Sequence, residues 1–152
     1  MMPTPTYELE GDKELQAYMK KLIKKMPEQV KGETYAHGLD VQREAKKNLN
    51  NMRRWDTGNL ANSIIVDLEK AGFTVKVEAT APYAVYVEHG ARPHFPPPDA
   101  LEGWAKRHGF DSAWPICKAI SERGLPESPF LGPAYMAIRD KYYAALKRLL
   151  EK

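Results

Sequence analysis

Leu15, Tyr18, Met19, Leu22, Ile23 and Met26 recur at i, i+3, i+4, i+7, i+8 and i+11, one continuous apolar stripe that predicts an amphipathic helix over 12–26. Asp12 stands just before the first periodic residue, where an N-cap belongs. Pro27 then either kinks this helix or opens a second one, at a first-turn position where its missing N–H costs nothing. The second helix is expected to reach about Asn51 and to carry Val30, Leu39, Val41, Ala45 and Leu49. Gly32 and Gly38 each weaken it by up to about 1 kcal/mol relative to alanine, and a break is expected near Gly38.

At residue 63 the period changes. Ile64, Val66 and Leu68 alternate with Ile65, Asp67 and Glu69; beyond Lys70-Ala71-Gly72, Phe73, Val75, Val77 and Ala79 alternate with Thr74, Lys76 and Glu78. Two period-2 runs around a short glycine-containing turn predict an antiparallel β-hairpin with one buried face. APYAVYVEHG, residues 81–90, reads as a short turn of helix that packs Tyr83, Val87 and Tyr86 on the sheet and stops at Gly90.

FPPPDALEGWAKRHGF predicts a helix entered through a proline run, and WPICKAISERGLPESP a second one that ends at Gly124. In the last 24 residues Leu131, Tyr135, Ile138, Tyr142, Ala145 and Leu149 restore the helical period, with Pro133 tolerated in the first turn. That stripe is expected to lie across the buried face of the hairpin. The pattern defines a single α+β domain over 1–152: N-terminal helices, a hairpin-based antiparallel sheet, a helical insertion at about 96–127 and a C-terminal helix on the sheet.

Composition narrows the classes. Hydrophobic residues are 43% and charged residues 28% of 152, an ordinary globular balance with enough chain to bury a core without staples. Cys117 is the only cysteine, so no internal disulfide forms, and a reducing compartment such as a bacterial cytoplasm fits. The N-terminus shows no signal-peptide pattern, and no apolar run approaches the roughly 18 residues that span a bilayer. The net charge of +3, from 23 basic against 20 acidic residues, is spread along the chain. No dedicated DNA-binding face is indicated, and the Lys20, Lys21, Lys24, Lys25 cluster reads as the solvated side of a helix.

Candidate chemistry is sparse. In WDTGNLANSI, residues 55–64, Asp56 is placed to accept backbone N–H groups as an Asx-turn or N-cap, and Gly58 to take a positive φ. Asp-Thr-Gly is also the local signature of aspartic proteases, but that chemistry needs a facing second carboxylate and a β-rich frame, and no second copy of the tripeptide exists. Glu88, His89 and His94 lack zinc-ligand spacing and a third strong ligand. Cys117 sits in an apolar helical turn, the setting of a small buried hydrophobe rather than of an activated thiol. Ser63 has no glycine-framed elbow, and there is no phosphate-binding loop. A hydrolase on Asp56 or Cys117 and a small nucleic-acid-binding regulator are therefore the weaker readings.

Three motifs, in this order and setting, resemble one family: DTGNLANSI at 56–64 leading into the hairpin, YAVYVEHGARP at 83–93, and SPFLGPAYMAI at 128–138 opening the last helix. They are similar to the bacteriophage tail-component family of neck or tail-completion proteins of long-tailed phages, whose longer members carry an insertion between the second and third motifs. The resemblance covers roughly 30–145 and implies a structural motif built on Asp56, Thr57, Gly58, Ser63, Tyr83, Glu88, Gly90, Pro129 and Phe130. It implies no enzyme and no cofactor. It implies a homo-oligomeric ring, a hexamer or a multiple, that joins head to tail in the virion. The ring would touch head-closure or adaptor proteins and tail-tube or tail-terminator proteins. Phage DNA would be met only as it passes through the channel, with no membrane partner and assembly in the bacterial cytoplasm. A tail terminator capping the tube is the alternative within that class. Ring contacts favour exposed aromatic residues and arginine, which singles out Tyr86, Arg92, Phe95, Trp104 and Trp114 in the loop-rich segment as interface residues.

Overall fold

The computed structural model of the chain describes residues 6–8, 16–20, 27–53 and 56–151. The elements are β1 (Thr6–Glu8), α1 (Pro27–Asn51), α2 (Asn59–Asn62), β2 (Ile64–Leu68), β3 (Val75–Ala79), α3 (Ala84–His89), α4 (Pro98–Arg107), α5 (Trp114–Arg123) and α6 (Leu131–Leu150). The fold is α+β, as the pattern predicts. Of the first predicted helix, residues 16–20 are helical, with Met19 buried and Tyr18 exposed. Asp12, Leu15, Leu22, Ile23 and Met26 lie outside the described residues.

Pro27 is the first residue of α1, and the expected break at Gly38 does not occur. The buried positions Val30, Thr34, Gly38, Val41, Ala45 and Leu49 step by three or four residues along an unbroken helix, a stripe that runs through Gly38 instead of Leu39. The reason lies across the interface. A Cβ at Gly38 would collide with Val75 Cγ1 and sit 3.1 Å from Val66 Cγ1. Gly38 is where the sheet crosses the helix, and close packing there offsets a poor helix former.

The predicted hairpin forms, with Ile64 opposite Ala79, Val66 opposite Val77 and Leu68 opposite Val75. Its turn is closed by the Glu69 N–H to Thr74 O (3.0 Å) and the Gly72 N–H to Glu69 O (2.7 Å), with Gly72 at φ +76°. Val75, Val77 and Ala79 are fully buried. Burial of the β2 face fades along the strand instead, from Ile64 to a Leu68 that is 38% exposed, while α1 still reaches the turn, where the Lys31 side chain lies against Gly72 with its ammonium 5.5 Å from the centre of the Phe73 ring. One strand was not anticipated: β1 pairs with the far side of β3, Tyr7 opposite Val77, and completes a sheet of order β1-β3-β2. Three residues cannot display an alternation long enough to be read from sequence.

The C-terminal helix α6 lies mainly along α1 and reaches the sheet at β1. Leu131, Ala134, Ile138, Tyr142 and Leu146 are its buried line, with Tyr135 and Leu149 packed beside it. A buried polar contact joins the two helices. The Thr34 hydroxyl donates to Val30 O (2.8 Å), so the proton in its 2.8 Å contact with Tyr142 is the phenol's. Burial pushes the Tyr142 phenol above its ordinary value, although the Thr34 bond works the other way.

The two glycines of α1 give opposite expectations. Gly38→Ala should destabilise the protein by about 1–3 kcal/mol through overpacking against Val75. Gly32, exposed and with open space around its would-be Cβ, should gain about 0.5–1 kcal/mol as alanine. Urea denaturation of both variants checks this, and equal shifts of the same sign would show that the helix–sheet crossing is misplaced.

Candidate functional site

The segment 56–64 turns the chain from α1 into the hairpin. Gly58, buried at φ 80° and ψ −2°, is the N-terminal flank of α2, and its carbonyl accepts the Asn62 N–H at 2.8 Å. The left-handed conformation is the one glycine adopts without strain. Thr57 Oγ1 accepts the Asn59 N–H at 3.4 Å. Ser63 fastens the end of α2, its hydroxyl donating to Leu60 O at 2.7 Å. The Ser63 carbonyl receives both the N–H and the hydroxyl of Thr80, at 3.0 and 3.1 Å.

Asp56 does not make the expected cap. Its carboxylate is gripped by Arg107 of α4, with Nε 3.2 Å from each oxygen and Nη2 2.6 Å from Oδ2, while His108 Nε2 stands 3.9 Å from Oδ1. A bidentate guanidinium outcompetes a single backbone amide. The Arg107 hydrogen bonds hold the Asp56 carboxyl below the usual carboxylate range, and Asp56 in turn raises Arg107. Tyr83 is raised as well, by burial first and by the charge of Asp56 second. Tyr83 is nonetheless 44% exposed and not packed on the sheet as anticipated.

Glu88 has the most constrained setting in the described chain. It is 2% exposed, on the inward side of α3. One carboxylate oxygen accepts the N–H groups of Phe130 (2.8 Å) and Leu131 (3.0 Å), and the other that of Gly132 (2.8 Å). These are the leading amides of α6, and the next residue, Pro133, has none to satisfy. A side chain 42 residues upstream therefore caps the whole N-terminus of the C-terminal helix, with the helix dipole favouring its charge. The Phe130 side chain is fully buried and its carbonyl accepts from Asn48 Nδ2 of α1 at 3.0 Å, while the Ser128 N–H donates to Val87 O at 2.8 Å. Pro129, between them, is exposed. The second and third motifs are the two halves of one joint.

Gly90, at φ 71°, ends α3 and starts a separate lobe. Helices α4 and α5 pack on each other around Ala105, Ala113 and Cys117, with Leu101 and Ile116 beside them, a cluster distinct from the main core. Cys117 is fully buried there. On the outside, Phe95 (50% exposed) meets Trp114 (58%) edge to face at 5.7 Å, and Trp104 stacks on His108 at 4.0 Å. Arg92 is exposed, and the half-buried Tyr86 stacks on His94 at 6.4 Å.

Among the described residues no three His, Cys, Asp or Glu side chains gather as a ligand set. Glu88, His89 and His94 are not brought together: Glu88 points into α6, and His94 Nδ1 contacts Arg92 O at 2.8 Å. Nor does any described helix have the length and apolarity to cross a membrane. Sequence reasoning missed Arg107, Asn48 and the Thr34–Tyr142 pair, whose partners are distant in the chain. A lone carboxylate in an apolar helical turn was the visible signal for Glu88.

These motifs are architecture, holding helix ends and turns. Residues 13–90 match the family model described as "Bacteriophage HK97-gp10, putative tail-component", and the chain belongs to this HK97-gp10-like family of phage tail components. The match ends at Gly90, where the helical lobe begins. No curated protein and no solved structure matches the chain.

Removing the cap tests the joint. Glu88→Ala leaves three amides at the α6 N-terminus without an acceptor and should cost about 2–5 kcal/mol. Glu88→Gln, nearly isosteric, replaces one acceptor oxygen with a donor and should cost about 2–4 kcal/mol. Chemical denaturation measures both, and a glutamine variant as stable as the parent would remove Glu88 from its capping role.

Proposed function

We propose that this phage tail component is a structural protein of the neck or tail-completion region, forming a ring that joins head to tail around the DNA channel. The observation that carries the reading is family membership over residues 13–90. The structure supports it in two ways. Asp56, Ser63 and Glu88 of the motifs are engaged by other parts of the chain, so they are suited to holding a shape. The exposed aromatic residues Phe95, Trp104 and Trp114, with Arg92, stand on the lobe, where contacts with neighbouring subunits, head-closure proteins or tail-tube proteins can form. A ring of identical copies needs two different surfaces per subunit that meet head to tail, and a projecting lobe supplies one of them. No hydrolytic activity is expected, since Cys117 is enclosed in the lobe core and Asp56 is engaged by Arg107.

The test is a phage carrying a nonsense mutation in this gene, imaged under non-permissive conditions. Filled heads and tails of normal length that fail to join are expected. Tails of abnormal length would replace the neck reading with that of a tail terminator, and intact infectious particles would refute both.

Replacing 96–127 by a short Gly/Ser linker separates folding from assembly. The two halves of the main core, 27–90 and 128–150, contact each other directly through α1, α6 and Glu88, so the shortened monomer should still melt cooperatively. It should not enter particles. A shortened chain that still yields infectious phage would take the lobe out of the assembly contact, and one that unfolds would make it part of the folding unit.

A further inference from the structure

We infer that residues 91–124 are a hinged lobe that swings on a two-glycine stem and is latched to the body by the Asp56–Arg107 pair. Three independent observations carry this. The lobe has its own small core of Ala105, Ala113 and Cys117, and α4 and α5 contact each other more extensively than either contacts any helix or strand of the body.

Its two ends meet in a narrow stem. Ala91 and Leu125 exchange backbone hydrogen bonds of 3.0 and 2.8 Å, and each is preceded by a glycine at φ 71° with an extended ψ, −177° at Gly90 and −161° at Gly124. That combination is open almost only to glycine. Each glycine also faces the opposite strand at close range: a Cβ at Gly90 would lie 2.6 Å from Leu125 O, and one at Gly124 would collide with Ala91 O. Two backbone bonds flanked by two glycines form a pivot of the kind in which a few residues at element ends absorb a rotation.

The third observation is the latch. Among the described residues, the polar side-chain link from the lobe helices to the body is Arg107 on Asp56, with His108 at 3.9 Å. It spans 51 residues of sequence and is partly exposed, Arg107 at 48% and Asp56 at 26%. Such a pair is weakened by salt and by protonation. The groups facing Asp56 are Arg107 at the end of α4, His108 just beyond it and, through the charge of Asp56, Tyr83 just before α3. Because the Asp56 carboxyl is held below its ordinary range in the latched state, its contribution is present above that range and is lost as the pH falls through the depressed value. Phe95 and Trp114 ride on the lobe, so opening the latch re-aims the exposed aromatic surface. The inference is independent of the ring reading.

The experiment uses the full chain with Cys117→Ala and spin labels on cysteines replacing the exposed Asn50 of α1 and Glu122 of α5. Pulsed dipolar spectroscopy then reads the distance between body and lobe. The parent should give a narrow distribution at neutral pH and low salt. Asp56→Asn and Arg107→Gln should each broaden it, shifting the closed-to-open ratio by up to about fivefold. The exchanged pair, Asp56→Arg with Arg107→Asp, should restore the narrow form. High salt should broaden the distribution of the unsubstituted pair in the same way, a measurement that needs no variant to fold. A parent that is broad from the outset, or one that stays narrow in high salt and in both single variants, would overturn the hinge.

Discussion

One carboxylate holds this fold together. Glu88 is buried, and its three acceptor contacts go to backbone amides that α6 cannot satisfy by itself. The arrangement works because of what flanks it. Phe130 fills the core and fixes the start of the helix, Asn48 takes the Phe130 carbonyl, and Pro133 removes the one further donor that the carboxylate could not reach. α6 therefore begins at one place and with one orientation, and its buried line meets α1 in a single register. Without the cap the helix start would present bare amides to an apolar interior, a state costly enough to unseat a marginally stable domain.

The long helix α1 is the other half of that constraint. It meets the sheet at Gly38, α6 at Thr34 and the α6 joint at Asn48, so three contacts along one rod fix everything else. A fourth, Gln42 Nε2 donating to Ile64 O at 2.6 Å, sets where β2 starts. Thr34 and Gly38 are the two positions in the buried stripe where an apolar residue would seem the obvious choice. One keeps a hydroxyl to orient Tyr142 and the other keeps no side chain so that Val75 can approach.

What was legible in the sequence follows from range. The hairpin shows because alternation is local and Gly72 marks its turn; the helices show because a 3.6 period needs only a dozen residues. The end of α3 at Gly90 and of α5 at Gly124 shows for the same reason. Gly38 misleads, since propensity argues for a break and only the sheet on the other side explains its absence. The Asp56–Arg107 pair, 51 residues apart in sequence, leaves no mark in a local pattern; Glu88 stands out as a lone carboxylate in an apolar turn, but the amides it caps, 42 residues on, do not. The local pattern offers Asp56 only a nearby role, a turn or cap, whereas α2 starts after Gly58 with no side-chain cap and Asp56 is held by Arg107. β1 was too short to register at all.

The same separation of roles bears on how such a chain evolves a place in a virion. Among the described residues no buried polar side-chain atom is left without a partner. Ser63, Thr80 and Glu88 hold ends and corners. The lobe differs: its interior cluster is built on Ala105, Ala113 and Cys117, and its large aromatic residues Phe95, Trp104 and Trp114 are 37–58% exposed. Side chains that a monomer does not need for stability are free to be selected for contact. A body fixed by Glu88 and a lobe joined through two glycines can then change independently, since the cap at α6 does not pass through the stem. The family match ends at Gly90, the residue where those two parts separate.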